Sequence, residues 1–124
     1  MELDHVTIAV SDIKKSTDFY SRLGLELIVK ADHYCRFIVP GNEATFSIHI
    51  SSEVQPGSTI FYFQISQLDV AVTSLKEKGF VFDQEPIDQP WLWREAYLKD
   101  PDGHLLCLYA AGENKLNPPW RIKK

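Results

Sequence analysis

Hydrophobic and polar positions alternate along residues 3–10. Val6, Ile8 and Val10 fall on one side and His5, Thr7 and Ala9 on the other, which predicts a half-buried strand. Ser11-Asp12 then offers a helix N-cap, and Ile13, Ser16, Phe19/Tyr20 and Leu23 follow at helical spacing. Gly24 suits the left-handed position just past the helix end. Leu25–Lys30, Tyr34–Pro40 and Ala44–Ser51 read as three further strands, the last entered through the Pro40-Gly41-Asn42 turn.

The second half repeats this order. Thr59–Ile65 reads as a strand, Ser66-Gln67-Leu68-Asp69 has a capping pattern, and Leu68, Ala71/Val72 and Leu75 form a helical stripe stopped by Gly79. Phe80–Asp83 is expected to start another strand. Trp93–Lys99 and His104–Ala110 are expected to form a hairpin around Asp100-Pro101-Asp102-Gly103. Residues 5–27, moved forward by 55 positions without a gap, fall on residues 60–82 with their apolar positions in step: Val6/Phe61, Ile8/Phe63, Val10/Ile65, Tyr20/Leu75, Gly24/Gly79. Such an echo marks a structural unit that needs its twin to cover an apolar face. The expected fold is α+β: two tandem β-α-β-β-β units whose curved sheets enclose a cleft of ligand size. Residues 1–124 form a single domain in this reading, with repeat one at about 3–52, repeat two at about 58–110 and a tail at 111–124.

Composition narrows the function classes. A net charge of −4 disfavours a phosphate-backbone binder, so no nucleic-acid partner is expected, and terminal Lys123 and Lys124 do not alter this. No apolar run approaches the roughly 20 residues that span a bilayer, and MELDHVTIAV lacks a basic leader region. No membrane partner is expected, and the expected location is cytoplasmic. Cys35 and Cys107, one in each repeat, are expected to be free thiols. Neither a dinucleotide fingerprint nor a P-loop nor a G-x-S-x-G elbow occurs.

Three segments carry a resemblance: Leu3–Asp12, Phe19-Tyr20-Ser21-Arg22-Leu23-Gly24-Leu25, and Asp100-Pro101-Asp102-Gly103-His104-Leu105-Leu106-Cys107-Leu108-Tyr109. They resemble the strand-one His, the F-Y-x-x-L-G-L helix end and the D-P-D-G-N-x-x-E-L hairpin of the vicinal oxygen chelate superfamily. That superfamily includes glyoxalase I, extradiol dioxygenases, fosfomycin-resistance transferases and bleomycin-resistance proteins. The resemblance implies paired β-α-β-β-β units, a small-molecule ligand in the cleft and a homodimer. It does not fix the reaction, because one scaffold hosts many chemistries.

Metal-dependent members use the first and last strand of each repeat for their ligands. Carried over, those positions are His5, Ile60, Cys107 and Ser47, the last if Phe46/Ile48 superpose on Leu106/Leu108. Only His5 is a family-type ligand. No cofactor is therefore expected. A divalent metal held by His5, His49 and Cys107 is the alternative, with metal-dependent lyase, isomerase or thiol-transferase chemistry. The leading expectation is a binding protein that holds a planar or hydrophobic ligand. The candidate contacts are His5, Ser47, His49, Tyr62, Gln64, Trp93, Arg94, Cys107 and Tyr109. Trp91, Trp93 and Arg94 cluster before a strand, where aromatic surface beside a guanidinium suits a planar or anionic ligand. Tyr34 and Arg36 project from the third strand in an undetermined register. Turn residues His33 and His104 are expected to be exposed, and Asp102 to be structural. The tail carries Pro118-Pro119, Trp120 and Ile122, and is expected to pack across its own domain or onto a partner subunit.

Overall fold

A computed structural model describes residues 1–123. The chain divides into two compact units, Met1–Ser58 with Asp100–His104, and Thr59–Lys99 with the residues from Leu105 onward. The final lysine, Lys124, lies outside the described residues.

The first unit contains β1 (His5–Val10), α1 (Ile13–Leu23), β2 (Glu26–Lys30), β3 (Tyr34–Ile38) and β4 (Thr45–Ile50). Its mixed sheet has the order β1-β4-β3-β2, with β1 parallel to β4 and the other pairs antiparallel. The second unit contains β5 (Ile60–Gln64), α2 (Leu68–Glu77), β6 (Gln84–Asp88), β7 (Arg94–Lys99) and β8 (Leu105–Ala110). Its order, β5-β8-β7-β6, is the same topology. The expected β-α-β-β-β pair is thus present, and the class is α+β.

One sheet face in each unit packs on its helix. Ile8, Val10, Tyr20, Phe37, Phe46 and Ile48 are buried in the first unit; Leu68, Val72, Leu75, Leu98, Leu106 and Leu108 are buried in the second. Tyr20 lies 4.9 Å from the Phe46 ring. Both helices end alike. Leu25 N–H donates to the Tyr20 carbonyl and Phe80 N–H to the Leu75 carbonyl, each at 3.0 Å. Gly24 at φ 122° and Gly79 at φ 95° supply the positive φ that this reversal needs. The sequence echo is here a repeated local structure.

Four details differ from expectation. Asp12 caps α1, its carboxylate accepting from Lys15 N–H at 3.0 Å, whereas α2 starts after Gln67 with no side-chain cap, so Ser66 is not the cap. No strand begins at Phe80; β6 starts at Gln84 and carries Pro86 at a register shift on the sheet edge, where a missing N–H is tolerated. His104 is buried rather than exposed, because its ring reaches the Ala9 carbonyl at 2.8 Å. The tail packs only at its start, where Ala111 is buried and Trp93 Nε1 donates to the Asn114 carbonyl at 3.3 Å; beyond the short 3-10 helix at Gly112–Lys115 the expected anchors are not seated, Trp120 being 58% and Ile122 81% exposed.

The Asp100–His104 turn is held within the first unit. Buried Asp100 accepts from the Tyr20 hydroxyl at 2.7 Å and from the N–H groups of Asp102 and His104 at 2.9 Å. Asp102 accepts from the N–H and hydroxyl of Ser11. Both carboxylates serve the architecture in this way. Cys35 and Cys107 are free and buried. Among the described residues, no helix is long and apolar enough to cross a membrane.

Candidate functional site

In each unit the sheet face opposite the helix collects the side chains with chemistry. Strand pairing settles their register. His5 pairs with Thr45, Thr7 with Ser47 and Ala9 with His49. Across the other edge of β4, Tyr34 pairs with His49 and Arg36 with Ser47. Tyr34 and Arg36, unplaced by sequence, therefore join His5, Ser47 and His49 on one face.

Hydrogen bonds join His5, Thr7 and Thr45 on the first face, and Tyr34, Arg36 and Ser47 beside them. The His5 ring engages Thr45 Oγ1 and Thr7 Oγ1. Tyr34 OH and Ser47 Oγ are 2.7 Å apart, and Arg36 Nε donates to Tyr34 OH at 3.0 Å. The Arg36 guanidinium also lies over the Tyr34 ring, 5.5 Å from its centroid. The Ser47 hydrogen bond, with that from Arg36, holds the Tyr34 phenol below its ordinary pKa.

The second face is aromatic and carries one acid. Tyr62 pairs with Cys107 and Gln64 with Tyr109, while Glu95 pairs with Tyr109 and Tyr97 with Cys107. Trp93 stacks on Tyr109 with ring centroids 4.6 Å apart and an 18° interplanar angle. Tyr62 meets both edge-on, at 5.9 Å from Trp93 and 5.6 Å from Tyr109. Tyr109, Cys107 and Ala111 form a small core on this face, and Trp93 and Tyr97 pack against it. Tyr62 remains 44% exposed, and Gln64 is exposed.

Glu95, absent from the candidate residues, also belongs to this face. It is only 1% exposed, and its carboxylate accepts from Trp91 Nε1 and Tyr97 OH, each at 2.8 Å. The available signal was alternation: once Ala96 and Leu98 face α2, Glu95 must face the other way. Burial, then the Glu95 hydrogen bond, raises the Tyr97 phenol well above its ordinary pKa. Burial, then the Glu95 charge, pushes the Cys107 thiol up to about 12. That environment favours the protonated thiol over the thiolate.

The same alternation separates Trp93 from Arg94. Arg94 does not join the aromatic face; its guanidinium meets Asp69 at the start of α2 and Asp88 on β6, each at 3.1 Å. Those hydrogen bonds, Asp69 first, raise its pKa. The expected pairing of aromatic ring and guanidinium at 93–94 is thus replaced by a surface ion pair.

The loop before β7 presents the tryptophans. Leu92 N–H donates to the Gln89 carbonyl at 2.9 Å and Gln89 N–H to the Trp93 carbonyl at 2.8 Å. This is a three-residue hairpin loop whose last residue adopts the left-handed conformation. Leu92 occupies that glycine-favouring position at φ 67°. Backbone strain of this kind concentrates at sites where function demands a set geometry.

The resemblance implies a divalent metal held at four strand positions, His5, Ser47, Ile60 and Cys107. The pairing Thr7–Ser47 and Tyr62–Cys107 confirms Ser47 and Cys107 as equivalents. Ile60 offers no donor, Ser47 is bonded to Tyr34, His5 is bonded through both ring nitrogens, and Cys107 stands where the family's carboxylate would be. Among the described residues, no three His, Cys, Asp or Glu side chains converge on a metal position. This donor set does not fit the usual first-row ligand arrangement.

Known proteins resemble the chain over nearly its whole length. A trivalent organoarsenical cleaving enzyme from Bacillus sp. (strain MD1) is 25% identical, covering 96% of this chain and 81% of that protein. The metallothiol transferase FosB of Shouchella clausii (strain KSM-K16) is 28% identical, covering 84% of this chain and 76% of that protein. The crystal structure of a glyoxalase/bleomycin resistance protein/dioxygenase from Nocardioides superposes with a TM-score of 0.80 at 21% identity, covering 99% of this chain and 90% of that one. The family model described as Glyoxalase/Bleomycin resistance protein/Dioxygenase superfamily matches residues 2–108. With the fold, the repeat and that match in agreement, the chain belongs to the glyoxalase/bleomycin resistance protein/dioxygenase superfamily.

Proposed function

We propose that this protein binds a small planar or hydrophobic molecule without the superfamily's usual metal set. The ligand rests on Tyr62 and Trp93, on the second unit's face opposite α2. The carrying observation is an aromatic pair, Tyr62 edge-on to Trp93 at 5.9 Å, with Trp93 backed by Tyr109 and Tyr62 left 44% exposed. Rigid aromatic surface binds apolar rings at low entropic cost. The strained turn at Leu92 supports the same placement.

The test is titration with a flat aromatic probe, 8-anilinonaphthalene-1-sulfonate, followed by tryptophan quenching and calorimetry. Trp93→Ala is expected to weaken binding about tenfold, equivalent to ~1.4 kcal/mol, within the range of an aromatic contact. Equal affinity for the native chain and a folded Trp93→Ala variant would reject the aromatic site.

A second reading, a metal-dependent transferase or lyase, has support from the names of the two sequence relatives. It requires His5 to join a ligand set other than the superfamily's usual one. One equivalent of divalent ion retained after chelator-free purification, and lost in His5→Ala, would favour it over the binding reading.

A further inference from the structure

We infer that the first unit's face opposite α1 is an oxyanion site built on Arg36, for a ligand group bearing a carboxylate or phosphate. This goes beyond the aromatic contact proposed for the second unit and does not depend on it. Arg36 is partly buried in β3, flanked by Tyr34 two residues earlier and by Ser47 across the strand pair. Its Nε donates to Tyr34 OH at 3.0 Å, and the ring of Tyr34 lies under the guanidinium. Among the described residues no carboxylate pairs with it, whereas Arg22, Arg94, Lys76 and Lys99 each have an acidic partner. A guanidinium has five N–H donors, and the one bond to Tyr34 leaves the Nη edge for a planar acceptor.

The surroundings hold that edge in place. Tyr34 is itself fixed by buried Ser47 at 2.7 Å, so ring, hydroxyl and guanidinium form one connected support. Holding the Nε–H and the stacking face reduces the side-chain freedom lost when an oxyanion arrives. A fork of Nη donors matches the two oxygens of a carboxylate, or two of a phosphate. The equivalent strand positions of the second unit carry Glu95 and Tyr97 instead, so this feature belongs to the first unit alone.

Inorganic phosphate and acetate, titrated separately at constant ionic strength set with chloride, test the site. The readout is the Arg36 Nε–H resonance and the backbone amides of Tyr34 and Ser47 in nitrogen-15 spectra. Saturable shifts are expected with at least one anion. Phosphate alone would identify a tetrahedral oxyanion, acetate alone a carboxylate, and both a general oxyanion site. Arg36→Gln is expected to weaken binding about tenfold or more, by loss of charge-assisted hydrogen bonds. Arg36→Lys keeps the charge but not the fork and is expected to bind less tightly than the native chain. Arg22→Gln, on the exposed side of α1, is expected to leave the titration unchanged. Absence of saturation with both anions, or the native affinity in a folded Arg36→Gln or Arg36→Lys variant, would overturn the assignment. Neither result bears on the Trp93 probe titration, so the two proposals fail separately.

Discussion

The two units share a topology and a register, yet their faces opposite the helices are built from different chemistry. Where β3 of the first unit has Tyr34 and Arg36, β7 of the second has Glu95 and Tyr97 at the equivalent pairings. Each couple is joined by a hydrogen bond between residues two apart on one strand: Arg36 to Tyr34 at 3.0 Å, and Tyr97 to Glu95 at 2.8 Å. The charge is inverted between them. The Tyr34 pKa falls, first through the Ser47 hydrogen bond and then through Arg36; the Tyr97 pKa rises, first through burial and then through the hydrogen bond to Glu95. Where β4 has His49, β8 has Tyr109, buried under Trp93. A duplicated backbone thus supports a hydrogen-bonded cationic face in one unit and a packed aromatic face with a buried carboxylate in the other.

The contrast breaks most visibly at positions 109 and 49. Tyr109→Ala removes a buried ring and the platform under Trp93, and is expected to cost about 3–5 kcal/mol in denaturant unfolding. His49→Ala, at the equivalent place on the other face, is partly exposed and is expected to cost about 1 kcal/mol or less. Equal losses would mean that the first face is as packed as the second.

The paired tyrosines sharpen the comparison. Tyr34→Phe leaves the buried Ser47 hydroxyl without its partner and is expected to cost about 1–3 kcal/mol near neutral pH. Alkaline pH should then divide the two phenols. Tyr97 holds its proton more tightly folded than unfolded, so its contribution is complete below the ordinary value of 10.0 and is lost as pH rises past it. Tyr34 ionises more readily when folded, so its ionisation adds a further increment of stability above that value, and this increment is lost as pH falls through its lowered pKa. Tyr97→Phe should therefore flatten the alkaline loss of stability, and Tyr34→Phe should steepen it. Unfolding curves between neutrality and strong alkali, with tyrosinate absorbance, check both signs.

The smallest effect belongs to the loop that presents the tryptophans. Leu92→Gly relieves a left-handed conformation at an exposed residue and is expected to stabilise by about 1 kcal/mol. If the strain serves the site, probe binding at Trp93 weakens in the same variant. A stability gain with unchanged binding would leave the strain without a role in presenting Trp93.

Local pattern alone determined much of this protein. Alternation and helical spacing located both helices and most strands, and the 55-residue echo foretold the shared topology and the paired glycine reversals at Gly24 and Gly79. These follow from backbone geometry, which nearby residues dictate. The first- and last-strand positions His5, Ile60, Ser47 and Cys107 were also legible, because parallel pairing fixes which residues share a face. Only the tertiary structure decided which side chains meet. It set the register of β3, which placed Tyr34 and Arg36 together, and it buried Glu95 under Trp91 and Tyr97. It turned Arg94 towards Asp69 and His104 towards Ala9. A single-residue change in register reverses a side chain's face, and burial depends on segments distant in sequence. The chemistry of the two faces was therefore settled by strand pairing, while the scaffold beneath them was written in the pattern of apolar residues.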